Sequence, residues 1–306
     1  MNGILNVLKP PGMTSHDLVS FVRRTLKIKK AGHTGTLDPG AAGVMVVCLG
    51  RSTRIARFIS GDEKEYRAEI TFGGSTDTGD SFGEVTAEHD ASNLNEAAVK
   101  ACLPFFTGNI NQVPPMVSAL KRQGRKLYEL ARAGQFVERQ ARAVTIKSLE
   151  YISGAGWGRP RPVALLHLTC SKGTYVRTLC EDIGNYLGCG AHMSFLVRTR
   201  AGSFCISESY TLEDIKNAAG NISTMLVTMD NVLAGLPPVK VKNGAVAAVS
   251  SGSKLYLPGV AALPDGLADG VLVRLQGPEG LLAVAETARD PEDSSRIFFK
   301  PVCVLV

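Results

Sequence analysis

One carboxylate stands apart in this sequence by its surroundings. Asp38 lies in Gly32-His33-Thr34-Gly35-Thr36-Leu37-Asp38-Pro39, and Gly40-Ala41-Ala42-Gly43 follows. Gly35 and Gly40 permit close backbone approach or positive φ, and Pro39 sets the chain direction just after the acid. A carboxylate displayed among such small residues can act as a nucleophile or a base. It can equally organise a turn, since Asp before Pro commonly starts one, and local chemistry alone favours the turn. Familiar catalytic signatures are missing: no GxxxxGK(S/T) loop, no GxGxxG after a strand, no GxSxG elbow and no HExxH. Gly154-Ala155-Gly156-Trp157-Gly158 lies between two strand-like runs and reads as a hairpin turn. Cys189 and His192 have the spacing of half a metal site, but no second pair completes it, so buried thiols are the better reading.

The elements around Asp38 follow from pattern. Residues 3–9 read as a strand ended by Pro10-Pro11-Gly12. Thr14 or Ser15 can cap a helix whose apolar side is Leu18, Val19, Phe21, Val22 and Leu26. Residues 31–43 read as a loop, Val44–Leu49 as a buried strand and Ser52–Ile59 as a helix. Tyr66–Phe72 alternates like a strand. Further expectations are a helix over Leu94–Cys102, paired strands at 144–152 and 163–170, a helix over Tyr175–Leu187 and a short helix after Thr211. Leu120, Leu127, Leu130 and Ala131 give the basic segment 110–142 a partial helical stripe. Gly235-Leu236-Pro237-Pro238 marks a boundary, and β-like runs at 271–275, 281–285 and 297–306 suggest a small barrel or sandwich beyond it.

The totals narrow the function. With 306 residues, 44% hydrophobic and 20% charged, the chain has the make-up of an ordinary globular protein of about two domains. No apolar run reaches the ~18 residues of a membrane span, and the N-terminus lacks a signal-peptide pattern. Seven cysteines, an odd number without a CxxC pair, fit a reducing compartment; a cytoplasmic location is expected. The net charge of +6 is unevenly spread. Residues 1–60 carry nine Lys/Arg against Asp17 and Asp38, and residues 119–147 carry eight against Glu129 and Glu138. Two such segments suit a surface that tracks phosphates, although either alone could be a solvated helix face.

Several separated blocks then resemble one family, the bacterial TruB tRNA pseudouridine synthases, which act on uridine 55 of the TΨC loop. The blocks are Lys9-Pro10-Pro11-Gly12-Met13-Thr14-Ser15, the stretch from Gly32 to Pro39, Lys64-Glu65-Tyr66, and Thr76-Asp77-Thr78-Gly79-Asp80. Gln112-Val113-Pro114-Pro115, Ser118-Ala119-Leu120-Lys121 and Lys126-Leu127-Tyr128 follow. Cys170 through Thr178 and Gly188-Cys189-Gly190-Ala191-His192 complete the series. The chain departs from the family at Gly40-Ala41-Ala42-Gly43, where many relatives have Leu-Ala-Thr-Gly, and at Val117, where an aromatic is frequent.

The resemblance implies an α+β pseudouridine-synthase fold: a mixed, largely antiparallel sheet flanked by helices, with a small C-terminal β-barrel-like module of the PUA type. It implies a catalytic domain over 1–234, a basic thumb-like segment over 110–142 and an RNA-binding module over 235–306. The implied catalytic residues are Asp38, its partner Arg177, and Tyr66. Substrate-binding positions are His33, Tyr66, Tyr175, Leu196 and Lys9, with Lys9 supporting the loop. The reaction has no redox step, so neither cofactor nor metal is expected. The implied partner is tRNA, through the T-stem-loop and the acceptor end, bound by a monomer without a membrane or protein partner. Two other readings stay open: a guide-RNA-dependent subunit acting on rRNA, and a tRNA-folding chaperone without essential catalysis.

Overall fold

The computed structural model describes residues 1–59, 63–118, 120–122, 124–135, 137–290 and 296–306. A ten-stranded sheet forms its larger part. Its main path runs Leu226–Val227, Gly3–Lys9, Ala42–Leu49, Ala191–Ala201, Lys64–Phe72, Val163–Cys170, Arg142–Ala155, Gly108–Gln112. Ala31–His33 pairs at the side of Ala42–Leu49, and Phe204–Cys205 at the side of Ala191–Ala201. Among the described residues one pairing in this sheet is parallel, Val197 with Ala42 and Arg198 with Gly43. The mixed, mainly antiparallel sheet of the expected class is therefore present.

The strand Ala42–Leu49 reads as a continuous apolar run because it is buried on both faces. Leu5, Val7, Met45, Val47 and Leu49 pack with Leu18 and Val22 of the helix Ser15–Thr25. On the other face Ile4, Val44, Val46 and Cys48 pack with Val284 and Leu305 of the C-terminal part. Thr14 caps that helix with Asp17 as a reciprocal partner, satisfying two backbone donors at its start.

The C-terminal part is a nearly closed, barrel-like sheet of six strands in the order Leu255–Tyr256, Ile297–Val304, Gly280–Arg289, Leu272–Gly277, Pro238–Val241, Val260–Ala262. It has its own core around Val239, Val273, Leu275 and Phe299. It is also tied to the large sheet: Arg54 donates to the Val304 carbonyl at 2.8 Å and Arg57 to that of Val302 at 2.5 Å.

Local differences from the sequence pattern have physical causes. Ala31–His33 is a short strand inside the glycine-rich stretch, because it can pair with Val47–Leu49. The helix expected over Ser52–Ile59 begins as a tighter 3-10 turn, Gly50–Ile55, and only Ala56–Ile59 is α-helical. The helix before Cys102 starts at Glu96, after the Asn95 side chain accepts from the Ala98 amide. In the basic segment Leu127–Arg132 is helical, and Leu120 lies outside that helix. A hairpin of Gly74–Thr76 and Val85–Glu88 has no strong alternation in sequence, yet its loop faces the strand Ala191–Ala201. Among the described residues no helix is long and apolar enough to cross a membrane, and no cluster of His, Cys, Asp or Glu could hold a metal ion.

Candidate active site

The loop carrying Asp38 is held from below by two buried cations. Lys9 is fully buried, and its ammonium donates to the carbonyls of Pro10 at 2.9 Å, Pro39 at 3.2 Å and Ala41 at 2.7 Å. The Arg198 guanidinium, also buried, donates to Val44 at 2.7 Å and to Thr36 and Gly35 at 3.3 Å each. A loop so placed cannot satisfy its carbonyls in a β-ladder, and an unpaired buried carbonyl is costly. The two cations supply the donors on either side of Asp38. Ser15 adds a two-way clasp, its hydroxyl donating to the Leu37 carbonyl and accepting from the Leu37 amide, both at 2.9 Å. Burial drives the Lys9 ammonium down to about 8, with Asp38 opposing that fall and Arg198 adding to it.

Gly43 is required for this arrangement. Its φ is +115°, and a Cβ there would lie within 3.0 Å of the Arg198 backbone. The strand bearing Arg198 can come alongside the loop only because residue 43 has no side chain.

With its carbonyls occupied below, the loop turns the Asp38 side chain toward a different arginine. Arg177 is the second residue of the helix Val176–Tyr186. Its Nε lies 3.0 Å from Asp38 Oδ2, and Nη1 lies 3.5 Å from Asp80 Oδ2. The same guanidinium donates to the Thr78 carbonyl at 2.9 Å and the Val117 carbonyl at 2.8 Å. Arg177 is 4% exposed, whereas the Asp38 side chain is 35% exposed. The cation is thus locked by four acceptors, and the carboxylate it addresses still opens to a cleft.

That cleft has a volume of about 350 Å³ and is lined by Asp38, Arg177, Tyr66, Tyr175 and Leu196, among others. Tyr66 and Leu196 sit on neighbouring strands, with Arg198 opposite Tyr66 and Leu196 opposite Ala68. Tyr175 is the residue before the helix, its backbone held by Gln112, which accepts from the Tyr175 amide at 3.0 Å. Five sequence-predicted residues therefore converge from four parts of the chain. Lys64 and Lys172 also border the cleft.

Burial is the largest influence on Asp38 and raises its pKa; Arg177 opposes the rise, Asp80 adds to it and Lys9 lowers it. Arg177 limits the effect of burial and does not reverse it. Burial likewise raises the Tyr66 phenol, with Arg198 opposing.

Two predicted residues lie elsewhere. Lys9 does not line the cleft; its place is beneath the loop, where it cannot reach a substrate. His33 ends the short strand beside the loop and is half-buried outside the cleft lining. Burial, then Arg198, lowers its pKa, with a backbone hydrogen bond to Gly35 opposing. Asp80 and Arg198 were missed as site residues. Asp80 stood inside the Thr76–Asp80 block and could have been noticed. Arg198, in Phe195-Leu196-Val197-Arg198-Thr199-Arg200, carries no local sign of burial.

Comparison with known proteins gives the family. The model of the TruB family pseudouridylate synthase N-terminal domain matches residues 23–176, and that of the tRNA pseudouridylate synthase B C-terminal domain matches 177–235. The chain belongs to the TruB family of tRNA pseudouridine synthases. A tRNA pseudouridine synthase B of Pelotomaculum thermopropionicum is 64% identical over 100% of this chain and 97% of its own. One from Moorella thermoacetica is 47% identical over 99% of each chain. Among solved structures, a chain of a Cbf5–Nop10–Gar1 complex superposes with a TM-score of 0.75 at 29% identity, covering 99% of this chain and 85% of that one. As a TruB-family enzyme the protein isomerises uridine in tRNA to pseudouridine. Both family models meet between Val176 and Arg177, so the Asp38–Arg177 pair joins the two matched regions.

Proposed function

We propose that Asp38 is the carboxylate that acts on uridine 55 once this nucleotide has flipped into the cleft. The observation that carries the reading is the 3.0 Å pairing of Asp38 with the locked Arg177 at the edge of a nucleoside-scale cleft. Extruding a base from its stack costs a few kcal/mol. The basic segments can offset this through phosphate contacts.

The isomerisation breaks the bond from C1′ to N1, turns the uracil and forms a bond from C1′ to C5. The C5 proton leaves and N1 gains one, so atoms balance without an oxidant or reductant. Asp38 does its work as the carboxylate, and Arg177 stabilises that form against burial. Tyr66 stacks on the base, a contact worth ~1–3 kcal/mol. Its raised pKa keeps the phenol protonated, which suits stacking and makes it a poor proton acceptor. Tyr175 and Leu196 close the apolar walls around the detached uracil. His33 contacts the RNA beside the flipped base as a neutral ring, and Lys9 holds the loop.

In this reading the catalytic domain spans 1–234, with 110–142 closing on the RNA, and the module from 235 grips tRNA away from the chemistry. The protein works in the cytoplasm, alone and without a guide RNA. The test is pure protein with an unmodified tRNA transcript. Pseudouridine at position 55 is expected, and none with Asp38→Asn, while tRNA binding stays within a few-fold. Turnover by Asp38→Asn would refute the assigned role, and activity that requires an added guide RNA would support the guided reading instead.

A further inference from the structure

Phe82 is the most exposed of the large apolar side chains described, at 76%. Its position is nevertheless firmly held. The Phe82 amide donates to Asp80 Oδ1 at 3.1 Å, while the other oxygen of that carboxylate faces Arg177. The preceding residue, Ser81, donates through its amide to the Met193 carbonyl at 3.1 Å and through its hydroxyl to the Ser194 carbonyl at 3.1 Å. One carboxylate thus anchors both the arginine of the site and the backbone of Phe82.

The ring lies over the loop of Asp38. A Cβ at Gly40 would fall within 3.0 Å of three Phe82 ring atoms. Gly40 does not have a positive φ, so its backbone does not demand glycine; a side chain there would have to displace the ring. A crevice beside the ring is walled by Asp38, Asp80, Phe195 and Leu196, with Phe195 44% exposed. It neighbours the uridine cleft, Asp38 and Leu196 lining both.

A large aromatic held in water at such a place has one face covered and one face open. Flipping a nucleotide removes a stacking partner from its neighbour. We propose that the open face of Phe82 receives the substrate RNA base adjacent to the flipped uridine, making it a substrate-binding residue. This rests on the proposed reading of Asp38 and its cleft. Stacking on an aromatic tolerates any base, because each has a π-face.

The experiment compares wild type, Phe82→Ala, Phe82→Leu and Phe82→Trp on a T-stem-loop RNA. Assays are steady state and single turnover, with melting temperature recorded for each variant. Phe82→Ala and Phe82→Leu should raise KM about tenfold, the loss lying in KM and not in the rate at saturating enzyme, and Phe82→Trp should retain affinity. A 2-aminopurine placed next to the target uridine should be quenched on binding wild type, and the quench should vanish with Phe82→Ala. An unchanged KM in Phe82→Ala overturns the inference. So does full recovery in Phe82→Leu, because apolar cover of Gly40 would then suffice, and so does a loss confined to the single-turnover rate. Absence of pseudouridine with wild type would defeat the underlying reading instead, and the fluorescence arm would still report on Phe82 alone.

Discussion

Replacing Arg177 by methionine tests the centre of the site most directly. The substitution keeps an unbranched apolar stem and removes the guanidinium. Asp38 then loses a charge-assisted contact at 3.0 Å, and Thr78, Val117 and Asp80 lose donors at 2.9, 2.8 and 3.5 Å. A hydrogen bond to a charged group contributes about 1.5–3 kcal/mol, and each ~1.4 kcal/mol is tenfold in rate. Loss of the contact to Asp38 alone therefore predicts a fall in turnover of about 10- to 100-fold. The direction of the pH effect follows from what remains. Burial and Asp80 both raise Asp38, and only Lys9 would still lower it. The acid limb of the pH–rate profile should thus move to higher pH in Arg177→Met, and raising the pH should recover part of the rate. The assay is release of tritium from C5-labelled uridine in a tRNA transcript, across a pH series. Arg177→Lys should fall between the two, since lysine keeps the charge without the planar fork that serves several acceptors. A folded Arg177→Met protein with near-normal turnover, or one with an unmoved acid limb, would show that this pairing does not govern Asp38.

The same site makes predictions about stability. Because the folded pKa of Asp38 is raised, its ionisation weakens folding as pH climbs from the ordinary carboxylate value through the raised one. Asp38→Asn should therefore gain in melting temperature relative to wild type between acid and neutral pH; a gap that narrows over that range would contradict the sign. Lys9→Met should destabilise the protein by about 3 kcal/mol or more, since each of three orphaned carbonyls costs about 1–3 kcal/mol, with tRNA affinity little changed because Lys9 lies outside the cleft; denaturant titration and filter binding check both parts. Gly43→Ala should cost at least about 1–3 kcal/mol from its left-handed backbone alone, visible as a lowered denaturation midpoint. Deleting residues from 237 onward should lower the melting temperature of the remainder as well as weaken RNA binding, since Val284 and Leu305 pack against Ile4, Val44 and Val46. A truncated protein as stable as the full chain would argue against that shared core.

How much of this was legible in sequence depends on the range over which each feature is determined. The helix start at Thr14 or Ser15 and the apolar strand Val44–Leu49 rest on neighbours in the chain, and the sequence by itself determined them; the hairpin turn expected at 154–158 begins later, because Gly154 and Ala155 still pair with Ala164 and Val163. The blocks resembling the TruB family also sufficed to name Asp38, Arg177, Tyr66, Tyr175 and Leu196 together. Tertiary structure alone decided the rest, because it depends on groups brought together from distant positions. By local pattern Lys9 and Arg198 look like surface cations, although the resemblance already placed Lys9 in support of the loop. They are buried because a loop with unpaired carbonyls lies above them, 30 residues or more away along the chain for the contacts to Pro39, Ala41, Thr36 and Gly35. Asp38 needed the fold most. Its sequence showed a carboxylate in a small-residue loop; whether that acid is ionised depends on the balance of burial, Arg177, Asp80 and Lys9, and only a folded chain sets those distances.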